Sequence, residues 1–355
     1  MKKYILFLIP LLFINTLYSQ VLYEETFDNY TLGNLGTVPT GTIPGKGGWF
    51  TKAVTGSTQA NSLFTIVNET NRGKVLDITA YSRYEGLYVF KPNLAQLIDI
   101  RSTGNDVIKF EIDYFTGSLS SVPYNHAEIW LLSEVDSMDY LINPDFLFRL
   151  SFNKQYGYIT SQSRGGIDLQ ADPTKRDYLP FNTWIKLVVY LDYSNKKAYF
   201  EIPHLNKAVV GDFLKNSTSA NLIQDFKPEN IVLTAFMTVA PQDPLAVTSN
   251  RYDNIKVTAL SSVPPEVINL STNEVLSNSF NLYLNPASNV VNITNNENML
   301  VNQVAIYDTA GKLINTQNFN EQIEIQLNVE NLANGTYMLH LQTNEGTAVK
   351  KLVKK

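Results

Sequence analysis

The sequence predicts an all-β protein, a large β-sandwich or barrel followed by a small Ig-like sandwich. Three observations carry that expectation. Between residues 21 and 260, apolar residues alternate in short runs broken by Gly, Pro, Asn and Asp clusters, with few helical signals. A Pro264–Pro265 pair and a polar stretch then interrupt the pattern. After the interruption the alternation returns more cleanly, in short units joined by tight turns. The 355 residues, 44% of them hydrophobic, are enough for two ordinary cores.

The first twenty residues, MKKYILFLIPLLFINTLYSQ, have the parts of a secretory signal. Lys2 and Lys3 make a positive start, residues 4–14 an apolar stretch, and small Ser19 precedes Gln20. The apolar stretch is too short for a stable membrane span and is broken by Pro10. Residues 1–19 are therefore expected to be a signal peptide, cleaved to leave Gln20 at the mature N-terminus.

The large domain, 20–260, follows. VIKFEIDYF (107–115) puts Ile108, Phe110, Ile112 and Tyr114 on one face, because strand side chains alternate. HAEIWLLS (126–133) does the same with Ala127, Ile129 and Leu131, and FRLSF (148–152) with Phe148, Leu150 and Phe152. WIKLVVYLD (184–192) buries Ile185, Leu187, Val189 and Leu191, then returns through a turn as KKAYFEI (196–202). RYDNIKVTAL (251–260) reads as a closing strand. Residues 261–280 read as a linker in which Val267 and Ile268 are able to dock on either neighbour.

In the last unit, 281–355, QIEIQLNV (322–329) alternates Ile323, Ile325, Leu327 and Val329 with polar residues, and TYMLHLQT (336–343) alternates Tyr337, Leu339 and Leu341. YDTAGK (307–312) and NEGT (344–347) read as hairpin turns. Tyr283, Asn285 and Pro286, the block AIYDTAGKLI (305–314) with Tyr307, Asp308 and Gly311, and LANGTYMLHL (332–341) with Gly335 and Tyr337 stand in order before a terminal KKLVKK. This set resembles the type A C-terminal sorting domain of the type IX secretion system of Bacteroidetes. Leu284 replaces the first proline of that family's opening Y-P-N-P. The resemblance implies passage through the periplasm, translocation by the type IX machinery, and release or attachment at the outer-membrane surface. Gly311 and Gly335 are expected at turns, and Pro286 at a strand start where no hydrogen bond is donated.

The large domain resembles the concanavalin A-like jelly rolls of the laminin-G, lectin and glucanase group. The resemblance lies in LYEETFDNY (22–30), NTWIKLVVYLDYSNKKAYFEI (182–202) and RYDNIKVTAL. It implies a jelly-roll β-sandwich ahead of the small Ig-like one. EIDYFT (111–116) is similar to the start of the carboxylate strand of laminarinase-type hydrolases, but Phe115 and Thr116 occupy the places of the required third carboxylate.

Glu111 and Asp113 lie on the polar face of their strand, His126, Glu128 and Trp130 on that of the next, and Arg149 faces away from Phe148 and Phe152. If these strands share one concave sheet, the six side chains would line a groove suited to glycans, which need aromatic platforms and paired donors and acceptors. Trp184 is expected at a sheet edge, Trp49 as a core or loop anchor, and Tyr81, Tyr84 and Tyr88 as a sugar-stacking rim or half-buried strand residues. Glu25, Asp28 and Asp253 lie near the two ends of the domain and form a candidate structural calcium site, since terminal strands of jelly rolls are often neighbours.

Other chemistries find little support. Net charge is −5, which disfavours a nucleic-acid partner. The absence of cysteine removes disulfides, thiolate zinc sites and thiol nucleophiles. Three scattered histidines make no zinc signature, and no phosphate loop, G-x-S-x-G elbow or EF-hand loop is present. Three functions stay open: an exported glycan-binding protein, a carbohydrate-active enzyme using His126, Glu128 and Arg149, and an adhesin without a sugar ligand.

Overall fold

The structure, a computed structural model, describes residues 19–53, 60–81, 85–120, 125–132, 146–163, 176–212, 215–216, 219–222, 227–237, 247–309 and 312–355. The expected signal peptide (apart from Ser19), Tyr84, the side chain of Tyr81 and Gly311 lie outside the described residues.

Two large antiparallel sheets form the sandwich of the large domain, beside a two-stranded ribbon of Lys215–Asn216 and Ser219–Leu222. The nine-stranded sheet runs Lys207–Asp212, Lys197–Ile202, Trp184–Asp192, Val107–Phe115, Val247–Leu260, Gly73–Tyr81, Phe64–Glu69 and Gly33–Asn34, with Gln20–Glu25 also paired to Val247–Leu260. The seven-stranded sheet runs Asp177–Tyr178, Tyr158–Ser163, Phe146–Asn153, Asn125–Leu132, Asn230–Met237, Glu85–Lys91 and Phe50–Ala53. The expected inward sets meet between them: Phe110, Ile112, Leu187 and Val189 from the first sheet, Ile129, Leu131, Phe148 and Leu150 from the second. Each such side chain contributes about 1.5–3 kcal/mol by leaving water. Trp49 is a fully buried member of this core. Tyr252, also fully buried, donates its hydroxyl across the sandwich to the Thr234 carbonyl at 2.8 Å. That bond meets the polar demand of a group that burial would otherwise leave unpaired.

Residues 261–280 do more than link. Pro265–Ser279 is a helix, begun by Pro265 at its first turn, where a missing N–H costs nothing. At its start Val263 and Val267 pack with Val107, Val188, Tyr190 and Tyr199 on the outer face of the nine-stranded sheet. At its end Leu276 joins the core of the tail domain. Ser277 accepts the Val349 N–H at 2.8 Å, and Lys350 donates to the Ser277 carbonyl at 2.8 Å.

The tail is itself a sandwich. Phe280–Tyr283, Val290–Asn295 and Ile325–Asn328 form one sheet, and Leu313–Gln322, Val301–Asp308, Gly335–Thr343 and Gly346–Lys354 the other. Phe280, Val291, Ile293, Ile306, Leu327, Leu339 and Leu352 fill it. The single strand expected over 322–329 is divided. Ile323 sits in the bend between two strands of different sheets and is exposed. The Asn285 side chain donates to the Lys351 carbonyl at 2.9 Å and accepts the Val353 N–H at 2.8 Å, so the opening motif pins the last strand. Asp308 closes its hairpin by accepting the Lys312 N–H at 2.9 Å, and Tyr337 donates to the Ala333 carbonyl at 2.8 Å. Tyr307 packs on His340, ring centroids 4.6 Å apart, whereas Tyr283 is exposed at a strand end. Gly335 is not at a tight turn. It opens a strand, is absent from the left-handed glycines, and an added Cβ would meet only Tyr337 at 3.9 Å. Among the described residues no helix is long and apolar enough to cross a membrane.

Candidate functional site

The six candidate ligand-binding residues separate onto opposite sides of the sandwich. Glu111 and Asp113 point away from the core on the nine-stranded sheet, whereas His126, Glu128, Trp130 and Arg149 point away from it on the seven-stranded sheet. The full thickness of the core lies between them, so the single six-residue groove is corrected to two faces.

On the nine-stranded face the charges are matched. Glu111 pairs with Lys109 at 2.9 Å, and Asp113 with Arg72 and, at 3.0 Å, with Lys186. Arg72 also bridges to Asp253 at 2.7 Å and lies 3.9 Å over the Trp184 ring, which packs on Phe115. Trp184 thus serves a charge network at a strand start. The similarity of Glu111 and Asp113 to a hydrolase strand has no chemical counterpart, because both carboxylates are occupied by cations.

The calcium set is likewise undone. The terminal strands are indeed paired, Glu25 opposite Ile255. Yet Glu25 accepts the Tyr30 hydroxyl, the Trp49 indole N–H at 3.1 Å and the Phe27 N–H at 2.9 Å. Asp28 accepts the Lys74 N–H at 2.8 Å, and Asp253 is held by Arg72. Among the described residues no group of three His, Asp or Glu could hold a metal ion.

The seven-stranded face brings four of the six together. Register sets His126 opposite Asn153, Glu128 opposite Ser151, and Trp130 opposite Arg149. On the other side Glu128 faces Thr234 and Trp130 faces Val232. His126 Nδ1 lies 3.1 Å from the Ser151 hydroxyl, and its Nε2 lies 3.5 Å from the Asn153 amide. The Trp130 indole N–H donates to Glu128 at 2.8 Å. Burial pushes the Glu128 carboxyl up, against the opposing pull of Arg149, Trp130 and Ser151. Burial, aided by the Arg149 charge, pushes His126 down. In both groups, two residues apart on one strand, burial disfavours the charged form.

Trp130 is not an open stacking platform. It is 3% exposed and packs with Tyr88, Phe90, Leu132 and Val232, its ring 5.8 Å from that of Tyr88. Tyr88 is fully buried there, which removes it from any exposed rim. His204 stands in a one-turn helix, Pro203–Leu205, away from these groups in the chain. Sequence reasoning passed over Ser151 and Asn153, whose alternation with Phe152 was the available signal.

Residues 281–355 match the model of the secretion system C-terminal sorting domain. The tail is therefore a sorting domain, and the chain is exported by type IX secretion to the cell surface or the extracellular space. No curated protein matches the chain. Among solved structures, the carbohydrate recognition domain of Emp47p is similar at 10% identity, with 68% of this chain and 97% of that one covered, TM-score 0.39. The catalytic domain of a glycoside hydrolase family 131 protein from Coprinopsis cinerea is similar at 10% identity, covering 69% and 95%, TM-score 0.37. A sialidase is similar at 11% identity over 59% of this chain but 16% of its own length, TM-score 0.37. The fold rests on the strand pairing above rather than on these overlaps.

Proposed function

We propose that this exported protein binds extracellular glycans on the outer face of its seven-stranded sheet. The observation that carries the reading is the cross-strand set of His126, Glu128, Arg149, Ser151 and Asn153. These polar side chains face away from the core yet are buried or half-buried, and hydrogen bonds orient them. Sugar hydroxyls require donors and acceptors fixed in this way. The test is a glycan array probed with the full chain. Glu128→Gln is expected to lower binding about tenfold, the worth of one oriented hydrogen bond at a buried position. Unchanged binding in Glu128→Gln and in Arg149→Ala would refute the assignment.

A second reading, a carbohydrate-active enzyme, is favoured by the placement of His126 and Glu128 on one outward strand face with Arg149 on the neighbouring strand, since an imidazole and a carboxyl group are the usual proton-transfer pair. Release of reducing ends or unsaturated products from a polysaccharide panel, lost in His126→Ala, would establish it.

A further inference from the structure

The Asp177–Tyr178 edge of the seven-stranded sheet, the last strand on that side among the described residues, carries an aromatic ledge next to this face. Tyr156 lies in the turn after Phe146–Asn153, Tyr158 starts the next strand, and Tyr178 pairs with Tyr158 from the edge strand. The Tyr156 and Tyr158 rings are nearly parallel, 8° apart in plane with centroids 6.1 Å apart, and Tyr178 meets Tyr158 edge-on at 6.4 Å. Tyr156 is 55% exposed and Tyr178 57%, far from the near-complete burial of Tyr88 and Trp130. The Tyr158 hydroxyl accepts the Asn153 amide at 3.2 Å, and that amide also approaches His126, so the ledge adjoins the polar set.

One cation belongs to the ledge. The Arg176 guanidinium lies 4.2 Å from the centroid of the Tyr158 ring. Its Nε is buried and makes no hydrogen bond, and the group has no carboxylate partner among the described residues. Other arginines of the domain are paired: Arg72 with Asp113 and Asp253, Arg101 with Asp106, Arg251 with Glu69. A guanidinium held on a ring, with Nε unbonded and no carboxylate on it among the described residues, is placed to take a planar carboxylate. Exposed tyrosine faces beside it offer apolar area for a sugar ring.

We propose that Tyr156, Tyr158, Tyr178 and Arg176 form a subsite for a carboxylate-bearing pyranose, so that the polymer bound is an acidic polysaccharide. The proposal rests on the glycan-binding reading and names its substrate class. Tyr156 and Tyr178 present the stacking surface, Tyr158 supports the guanidinium, and Arg176 takes the carboxylate.

The experiment measures binding of the full chain to polygalacturonate and to the same polymer after reduction of its carboxyl groups. The native chain is expected to prefer the acidic polymer by about tenfold, with a preference that shrinks as salt is raised. Arg176→Gln is expected to erase the preference and Arg176→Lys to retain part of it. Tyr156→Ala and Tyr178→Ala, both at exposed positions, are expected to weaken binding of both polymers. Equal binding of the two polymers by the native chain, or an intact preference in Arg176→Gln, would overturn the subsite while Glu128→Gln still judges the sheet face. Binding to some other glycan alone, lost in Glu128→Gln, would also overturn the subsite and leave the sheet face standing. Silence across a broad panel would overturn both.

Discussion

On the outer face of the nine-stranded sheet, Asp113 and Asp253 share Arg72, Lys186 closes on Asp113, and Glu111 has Lys109. On the outer face of the seven-stranded sheet, Glu128 is 8% exposed, accepts the Trp130 indole N–H and feels the Arg149 charge, yet burial still raises its proton affinity. Both faces grow from the same alternating strands. The difference teaches that a polar residue on an outward position has two fates. Paired with an opposite charge it stabilises the sheet. Where burial outweighs the neighbouring charge and donors, it has a shifted proton affinity that folding alone does not require.

Breaking the matched face should have the largest effect. Arg72→Ala removes the shared partner of two largely buried carboxylates and is expected to destabilise the domain by about 2–3 kcal/mol, somewhat less than a fully buried pair because Arg72 is partly exposed. Denaturant unfolding checks this, and glycan binding should not change. A loss of binding equal to that of Glu128→Gln would end the distinction between the faces.

Lys154 extends the comparison to a buried amine that makes no ion pair among the described residues and feels the Asp77 charge only at longer range. It is 1% exposed, donates to the Ser249 carbonyl, and burial lowers its pKa to about 7. Because the unfolded chain holds this proton to higher pH than the native one, the Lys154 contribution to stability rises from about pH 7 to about pH 9. Lys154→Met is expected to flatten that rise and to gain stability below neutrality. Urea midpoints at the two pH values test it, and an unchanged slope in the variant would refute it.

A smaller effect of opposite sign is expected from Glu128. Its raised pKa means the native state keeps a proton that the unfolded chain releases, so its contribution falls as pH rises above the ordinary carboxylate range. Glu128→Gln should remove that fall at a cost of about 1 kcal/mol or less, since the amide still accepts from Trp130. The smallest expected effect is that of calcium. With Glu25, Asp28 and Asp253 each engaged by protein donors, chelator should leave the melting temperature unchanged, and a rise with added calcium would restore the abandoned site.

The strand faces were legible because alternation needs only neighbouring residues. Ile108, Phe110 and Ile112, or Ile129 and Leu131, are buried wherever their strand goes. Which sheet a strand joins is decided by pairing across long sequence separations, so nothing local told that Glu111 and Glu128 would look in opposite directions. The sorting tail was legible because its turn and strand blocks recur in fixed order. The helix at Pro265–Ser279 was hidden by polar composition. Only the spacing of Val263, Val267 and Leu270, four and then three residues, betrays the side that lies against the sheet. Trp130 misled because an indole on a polar strand face reads as a platform, while its N–H and its aromatic neighbours make it a second small core.

The pairing of Gln20–Glu25 with Val247–Leu260 also sets an order of events. Gln20 sits opposite Ala259, and the same long strand bonds Val107–Phe115 along its other edge and Gly73–Tyr81. A chain made from its N-terminus has all the early strands available long before their central partner exists. Such non-local closure slows folding. The large domain therefore completes its native sheet only once Val247–Leu260, the segment immediately before Pro265–Ser279, is present to pair with all three.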